Sequence, residues 1–330
     1  MSKLTKLDRI NGMFYGLAIG DSIGMPLEFF NTTPKFSFSP YINTVPFDIN
    51  FQFASIHVDA PTVSDDTEMT LALLKSLLNS DMKYSSENSV KEYLIFGNTS
   101  KMLGRNTRKL FKGVTTIKGY QNRFSKLTDE EKENMQSNGS LMRASPLALL
   151  TENECIKTDC YLTNPNSINY FANIIFIHIL RHLLNGGEKA DCIDIATNIA
   201  MRDDCPDEIM EAVKDSMKKD VCRSLNGKLK GWVVSSLYIA LYSFWTFEKY
   251  EDAVNFIINI KGSDTDTNAS ITGALFGAWK GKKTLEQEEY TSKNVEILEN
   301  KLREIDELIE YVAEWNREGE NVEMEIEFID

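Results

Sequence analysis

Two short clusters, Val63-Ser64-Asp65-Asp66-Thr67 and Gly262-Ser263-Asp264-Thr265-Asp266-Thr267, set carboxylates among hydroxyls immediately before runs with helical periodicity. Each reads as a loop that delivers hard oxygen ligands at a helix N-terminus. Brought together in space, they would hold one or two divalent metals. The donors are all oxygen, with nothing soft or nitrogenous beside them, so magnesium, manganese or calcium is favoured over zinc. A single Ser-Asp-Asp-Thr also serves as a helix cap, and Asp65 with Glu68 could form a capping-box-like pair. The second cluster stacks more carboxylate at a helix start than capping requires.

Other chemistry-bearing residues carry less. His178 and His182 stand four apart on a predicted helix, but no glutamate or third ligand accompanies them, so ordinary helix packing is the better reading. His57 lies in a proline-rich stretch and reads as a loop residue that could line a cleft. Between Lys101 and Lys126 there are eight basic residues and no acid, a stretch able to steer a phosphate-bearing or acidic ligand or to form a solvated face. Trp232, Tyr238, Phe244 and Trp245 read as core rather than as a ligand platform.

These residues must be positioned by a chain of 330 residues, enough for one large domain or two modest ones. No apolar run is long enough to span a bilayer and no N-terminal apolar segment marks export, so a soluble, cytoplasmic protein without membrane or direct nucleic-acid partners is expected. Five cysteines without a Cys-x-x-Cys pair argue against a disulfide framework or a zinc site. The net charge of -13 is concentrated in a tail: from Thr284 onward there are 16 acidic and 4 basic residues.

The elements are predominantly helical. Gly16, Gly20 and Gly24 share one face of a helix over Asp8–Phe30, where another helix can approach closely. Thr67–Leu78, Asn169–Leu184, Cys192–Met201, Asp207–Met217, Gly231–Trp245, Tyr250–Ile260 and Ala269–Lys280 also carry helical spacing, the last with Gly273 and Gly277 again four apart. Asn31–Pro61, with four prolines, reads as a long functional loop, a lid or pocket wall. Residues 1–283 therefore form a helical domain. An acidic segment, 284–330, adds a helix with an apolar seam at Leu298, Leu302, Ile305, Ile309 and Val312, stopped by Gly319. The alternation from Val322 to Phe328 predicts a short half-buried strand that pairs within the chain or with a partner.

Five blocks in order resemble the ADP-ribosylglycohydrolase family. They are Gly16-Leu17-Ala18-Ile19-Gly20-Asp21-Ser22-Ile23-Gly24 with Glu28; Ser64 to Thr70; Gly104-Arg105-Asn106-Thr107; Asn138 to Pro146; and Gly262 to Thr267. The resemblance implies an all-α, compact, orthogonal multi-helix fold around a cleft with two magnesium or manganese ions. By position, Ser64, Asp65, Asp66, Asp264, Asp266 and Thr267 would be metal ligands, with Ser64 standing where threonine is usual. Glu28, Asp65 and Asp66 are the candidate catalytic carboxylates, with no choice among them written in the sequence. Asn138, Gly139 and Ser140 match a loop near the substrate diphosphate, and Gly104 belongs to a further substrate-side block.

The implied activity is hydrolysis of the bond between ADP-ribose and a modified protein side chain, with arginine favoured by the first block, or of an ADP-ribose-containing small molecule. Members usually carry a Thr-His pair after the Asn-Gly block; here Thr163-Asn164 takes that place, and asparagine does not titrate near neutrality. Asn164 is thus the candidate at the target-side pocket. The acidic tail and the missing histidine suggest an alternative: a binding or immunity protein that neutralises an ADP-ribosylating toxin.

Overall fold

A computed structural model describes residues 4–29, 40–51, 54–218 and 230–326, giving the backbone alone at 50, 51, 54 and 315–326. The helices in chain order begin with α1 (Lys6–Gly24), α2 (Asp65–Leu78), α3 (Ser86–Thr99), α4 (Arg105–Phe111), α5 (Ile117–Phe124) and α6 (Asp129–Glu133). Next come α7 (Glu154–Tyr161), α8 (Ser167–Leu184), α9 (Asp191–Ala200), α10 (Asp207–Ser216) and α11 (Val233–Thr246). The last are α12 (Tyr250–Ile258), α13 (Thr265–Lys280), α14 (Lys282–Leu285), α15 (Glu289–Ile297) and α16 (Glu299–Ile326). The all-α expectation holds, and every helix read from periodicity is present with its ends moved by a few residues.

The centre of the fold is the crossing of α1 with α13. Gly12, Gly16, Gly20 and Gly24 face Gly277, Gly273, Ala269 and Asp266 in turn, so the two helices run antiparallel with their backbones in contact. A methyl group on Gly16 would fall on the carbonyl of Gly273, and one on Gly273 would fall on that of Gly16. The Tyr250 hydroxyl donates to the Gly16 carbonyl at 2.8 Å, and Thr265 Oγ1 donates to the Gly24 carbonyl at 2.8 Å. This close approach brings the C-terminal end of α1 against the first turn of α13, where the second carboxylate cluster lies.

Around that pair one large apolar core collects α2, α8, α11 and the tail helix. Leu298, Leu302, Ile305, Ile309 and Val312 are all buried in it, so the apolar seam of the tail docks on its own chain. Tyr15 and Lys282 both bond Asp306, and Lys301 bridges Glu68 of α2, which ties α16 to α1 and α2.

Two expectations fail. The strand over Val322–Phe328 does not form: α16 continues through Gly319 to Ile326, and Phe328 lies outside the described residues. Glu and Met are good helix formers, and a strand without a neighbour leaves its backbone groups unpaired, so the local preference prevails. Conversely, the Asn31–Pro61 stretch contains an antiparallel hairpin, β1 (Phe47–Phe51) with β2 (Ala54–Val58), in register Phe47↔Val58 and Ile49↔Ile56. Phe47, Ile49 and Val58 pack with Met25 in a small second core. Asp48 and His57, also paired in register, form an exposed side-chain hydrogen bond at 3.0 Å away from the cleft. The helix α3 carried no clear periodic signal and was missed.

Candidate metal and substrate cleft

The cleft is a cavity of about 830 Å³ that opens between the N-termini of α2 and α13, the α4 segment and the loop 134–142. Its floor is set by Asp21, a residue the sequence reading left without a role in the site. Fully buried on α1, Asp21 accepts the backbone N–H groups of Ser64 and Thr67 at 3.0 and 3.1 Å, and so holds the start of α2 from outside that helix. Ser64 is the N-cap: its Oγ accepts the Asp66 N–H at 3.2 Å and donates to Asp66 Oδ2 at 3.0 Å. The capping pair of Asp65 with Glu68 does not form, and Glu68 instead meets Lys301.

With Ser64 and Asp21 serving as caps, the other carboxylates are left for the cleft. Asp65 Oδ2 accepts the Gly104 N–H at 3.1 Å. Asp66 Oδ2 takes the hydroxyls of Ser64 and Thr267, while its Oδ1 is buried with no hydrogen-bond partner. Asp264 is the N-cap of α13 yet makes no capping bond; its Oδ2 accepts from Asn138 Nδ2 at 2.9 Å. Glu28 follows the tight turn Met25–Leu27, and the next residue, Phe29, takes a left-handed backbone with its N–H bonded to the Ser263 carbonyl.

Oxygens of Asp21, Asp66 and Asp266 lie within 4.8 Å of one another, and so do oxygens of Glu28, Asp264 and Asp266. Asp266 belongs to both groups. Among the described residues no ion pair reaches any of these carboxylates. Burial is the main reason that Asp21 is pushed up to about 6 and Asp65 to about 7. Glu28, Asp66 and Asp266 are also raised, first by burial and then by their acidic neighbours. Packing this many acids without cations opposes their ionisation, whereas divalent ions would reverse it. The all-oxygen donor set and the orphaned Asp66 Oδ1 fit hard divalent cations.

The facing wall is the segment Met135–Ser140, held from behind by amides. Asn164, Asn166 and Asn106 donate to the Met135 carbonyl, and Asn164 and Asn169 donate to that of Ser137. Arg143, completely buried and paired with Asp159 at 3.0 Å, donates to the Gly139 carbonyl at 2.9 Å. On its front side this segment bridges to Trp232, whose indole N–H donates to Gln136 Oε1 at 2.9 Å.

Glu28, Asp65, Asp66, Gly104, Asn138, Gly139, Asn164, Asp264, Asp266 and Thr267 thus come together around the cleft. Two expected residues do not face it. Ser64 is turned into the α2 cap, and Ser140 is buried as the acceptor for Asn169 and Asn173. Asn164 lies at the cleft's edge, but both its amide hydrogens are engaged with the Met135 and Ser137 backbone and its oxygen with Thr163. It lines the cleft and at the same time braces the wall. Trp232, expected in the core, is half-buried on the cleft wall, and Arg105, Gln136 and Lys230 also line it. Arg105 lies in the Gly104–Thr107 block and the basic stretch already singled out, whereas nothing in the sequence set Gln136 and Lys230 apart. His178 and His182 bond Asn153 and the Glu188 carbonyl, away from the cleft.

The chain is 24% identical over 297 residues to ADP-ribosylarginine hydrolase Tri1 of Serratia proteamaculans (strain 568), covering 83% of this chain and 72% of that protein. It is 25% identical to the protein of that name from Pseudomonas putida (strain GB-1), covering 83% and 71%. With ADP-ribosyl-[dinitrogen reductase] glycohydrolase of Rhodospirillum rubrum it shares 22% identity over 83% of this chain and 86% of the other. A solved ADP-ribosylglycohydrolase-related protein complex has the same fold, with a TM-score of 0.67 at 20% identity over 92% of this chain and 97% of that one. The family profile described as ADP-ribosylglycohydrolase matches residues 2–320, and this chain, an enzyme built around a buried carboxylate cleft, belongs to the ADP-ribosylglycohydrolase family.

Proposed function

We propose that this protein hydrolyses the glycosidic bond between ADP-ribose and a modified protein side chain, arginine being the target, with two magnesium or manganese ions in the cleft. The observation that carries the reading is the pair of three-carboxylate groups sharing Asp266 at the base of a cleft walled by Asn138 and Gly139. The relatives named for ADP-ribosylarginine support arginine as the target.

Asp66, Asp264, Asp266 and Glu28 are the residues that would hold the ions, with Asp65 and Thr267 beside them. The ions would supply Lewis-acid polarisation of the ribose hydroxyls and of the attacking water. The chain's own residues do the rest. Asn138, fixed between Ser236 Oγ and Asp264 Oδ2, orients the second cluster, and Gly139 lets the substrate approach the protein backbone closely. Water adds to the anomeric carbon as its bond to the side-chain nitrogen breaks. A carboxylate, Glu28 or Asp65, takes the water's proton and passes it to the departing nitrogen, so that arginine leaves as its guanidinium and the carboxylate is restored.

The toxin-neutralising alternative drew on the acidic tail with its expected strand and on the asparagine that stands in place of the usual histidine; the tail is the part that changes. That strand is replaced by helix, and the tail's apolar seam is buried in its own fold. The test is release of ADP-ribose from ADP-ribosyl-arginine with magnesium, compared with serine-linked and O-acetyl forms. Asp264→Asn should reduce turnover at least about a hundredfold and abolish stabilisation by magnesium. An Asp264→Asn enzyme with wild-type turnover overturns the assignment of the cleft.

A further inference from the structure

An ADP-ribosyl group brings two negatively charged phosphates toward a cleft that already holds five acidic side chains, Glu28, Asp65, Asp66, Asp264 and Asp266. Only two cations line the cleft among the described residues, Arg105 and Lys230. Lys230 lies 5.5 Å over the Phe29 ring. Arg105 is different. Its side chain is exposed at the cleft, and among the described residues no hydrogen bond or ion pair engages it.

Other cations among the described residues, Arg108 included, also make no side-chain hydrogen bond or ion pair, but they do not line the cleft, and several arginines are committed to partners elsewhere. Arg9, Arg123, Arg143, Arg181 and Arg202 each bond backbone carbonyls or carboxylates. Within the basic stretch around it, Lys109 pairs with Glu131 and Lys112 bonds the Ser100 carbonyl, so both are turned to structural partners. The backbone that carries Arg105 is fixed: the preceding residue, Gly104, donates its N–H to Asp65 Oδ2, and the following residue, Asn106, bonds Ser137. Arg105 is therefore flanked on both sides by anchored residues, one bonded to the carboxylate floor and one to the facing wall, while its five guanidinium donors are unused. Its planar fork matches two phosphate oxygens, and such charge-assisted pairs are among the strong ones.

We propose that Arg105 binds the diphosphate of the ADP-ribosyl group, selecting substrates that carry it and offsetting the negative field of the floor. The inference rests on the function proposed above. Arg105 is a binding residue: it sets affinity for the anion and takes no part in bond breaking.

The test uses the full-length protein with magnesium, following ADP-ribosyl-arginine turnover and binding of free ADP-ribose. Arg105→Gln should raise KM and the Kd for ADP-ribose by roughly ten- to a hundredfold, with kcat within about threefold of wild type. Arg105→Lys, which keeps the charge but not the fork, should recover part of the loss. Stabilisation of both variants by magnesium should match wild type, which separates lost anion binding from a disturbed fold. If wild type turns over and Arg105→Gln leaves KM and Kd unchanged, or lowers kcat alone, the inference is overturned while the proposed function stands. A wild-type protein that neither cleaves the substrate nor binds ADP-ribose overturns both.

Discussion

The floor of the cleft and its facing wall are held by different means. Where α1 crosses α13, backbone lies on backbone, and Gly12, Gly16, Gly20, Gly273 and Gly277 matter because they have no side chain. In the Met135–Ser140 wall, the backbone would be left with unpaired carbonyls, and four asparagines, Asn106, Asn164, Asn166 and Asn169, with Arg143 supply the missing donors. The floor is a close-packed contact with no room for adjustment, suited to fixing carboxylates at ion-binding separations. The wall is a hydrogen-bonded network whose members act together, suited to presenting Asn138 and Gly139 at a set height above the floor.

The contrast can be broken at either end. The largest expected effect is on the wall. Arg143→Met leaves Asp159 buried without its partner and should cost about 3–5 kcal/mol, read from denaturant unfolding. It should also raise KM, because the Gly139 carbonyl loses its donor; an unfolding midpoint within error of wild type would contradict the network account. On the floor, Gly16→Ala places a methyl on the Gly273 carbonyl and should cost about 3 kcal/mol by overpacking. Here the response to magnesium should weaken, since Asp21 and Asp266 are carried by the two displaced helices. If the variant keeps both stability and magnesium response, the floor is not set by this contact.

A smaller effect is expected for Asn169→Ala, which removes donors to the Ser137 carbonyl and Ser140 Oγ and should cost about 2 kcal/mol. Its KM should rise while stabilisation by magnesium stays as in wild type, the reverse of the Gly16 variant. The finest distinction is pH. Asp21 and Asp65 sit at about 6 and about 7, above the ordinary carboxylate value of 3.8. The ion-free folded protein therefore holds more protons than the unfolded chain between about pH 4 and 7, and its stability falls as pH rises through that window. Ion binding requires the ionised carboxylates, so the rise in Tm produced by magnesium should be small at pH 5 and grow toward pH 8. Scanning calorimetry checks this, and a magnesium effect independent of pH would contradict it.

Much of the floor was legible in the sequence. The four-residue glycine spacing predicted a close helix contact, and carboxylates next to hydroxyls at two helix starts predicted oxygen ligands, because both features are local. Asp21 escaped the same reading: a single aspartate in a glycine-rich helix shows its role only when the α2 N-terminus arrives beside it. The wall was less legible. Asn106, Asn164, Asn166, Asn169 and Asn173 come from three stretches of chain, and no pattern in sequence announces that they converge on one loop. Asn164 is the clearest case: it lines the cleft, and only the structure shows that its amide also braces the backbone of the wall. The tail shows the opposite error, since alternation over Val322–Ile326 is only a strand signal when another strand is present to pair with it.

By itself the sequence determined the helical class, the glycine face of α1, the two ligand-bearing helix starts and the apolar seam of α16, since each depends on spacing along one element. Only the tertiary structure decided that Asp266 joins both carboxylate groups, that Ser64 caps and Ser140 turns inward, and that Arg105 meets the cleft unpaired. Those outcomes depend on which donor reaches which acceptor across distant segments, and a buried polar group takes whichever partner the packing of the whole chain brings within reach.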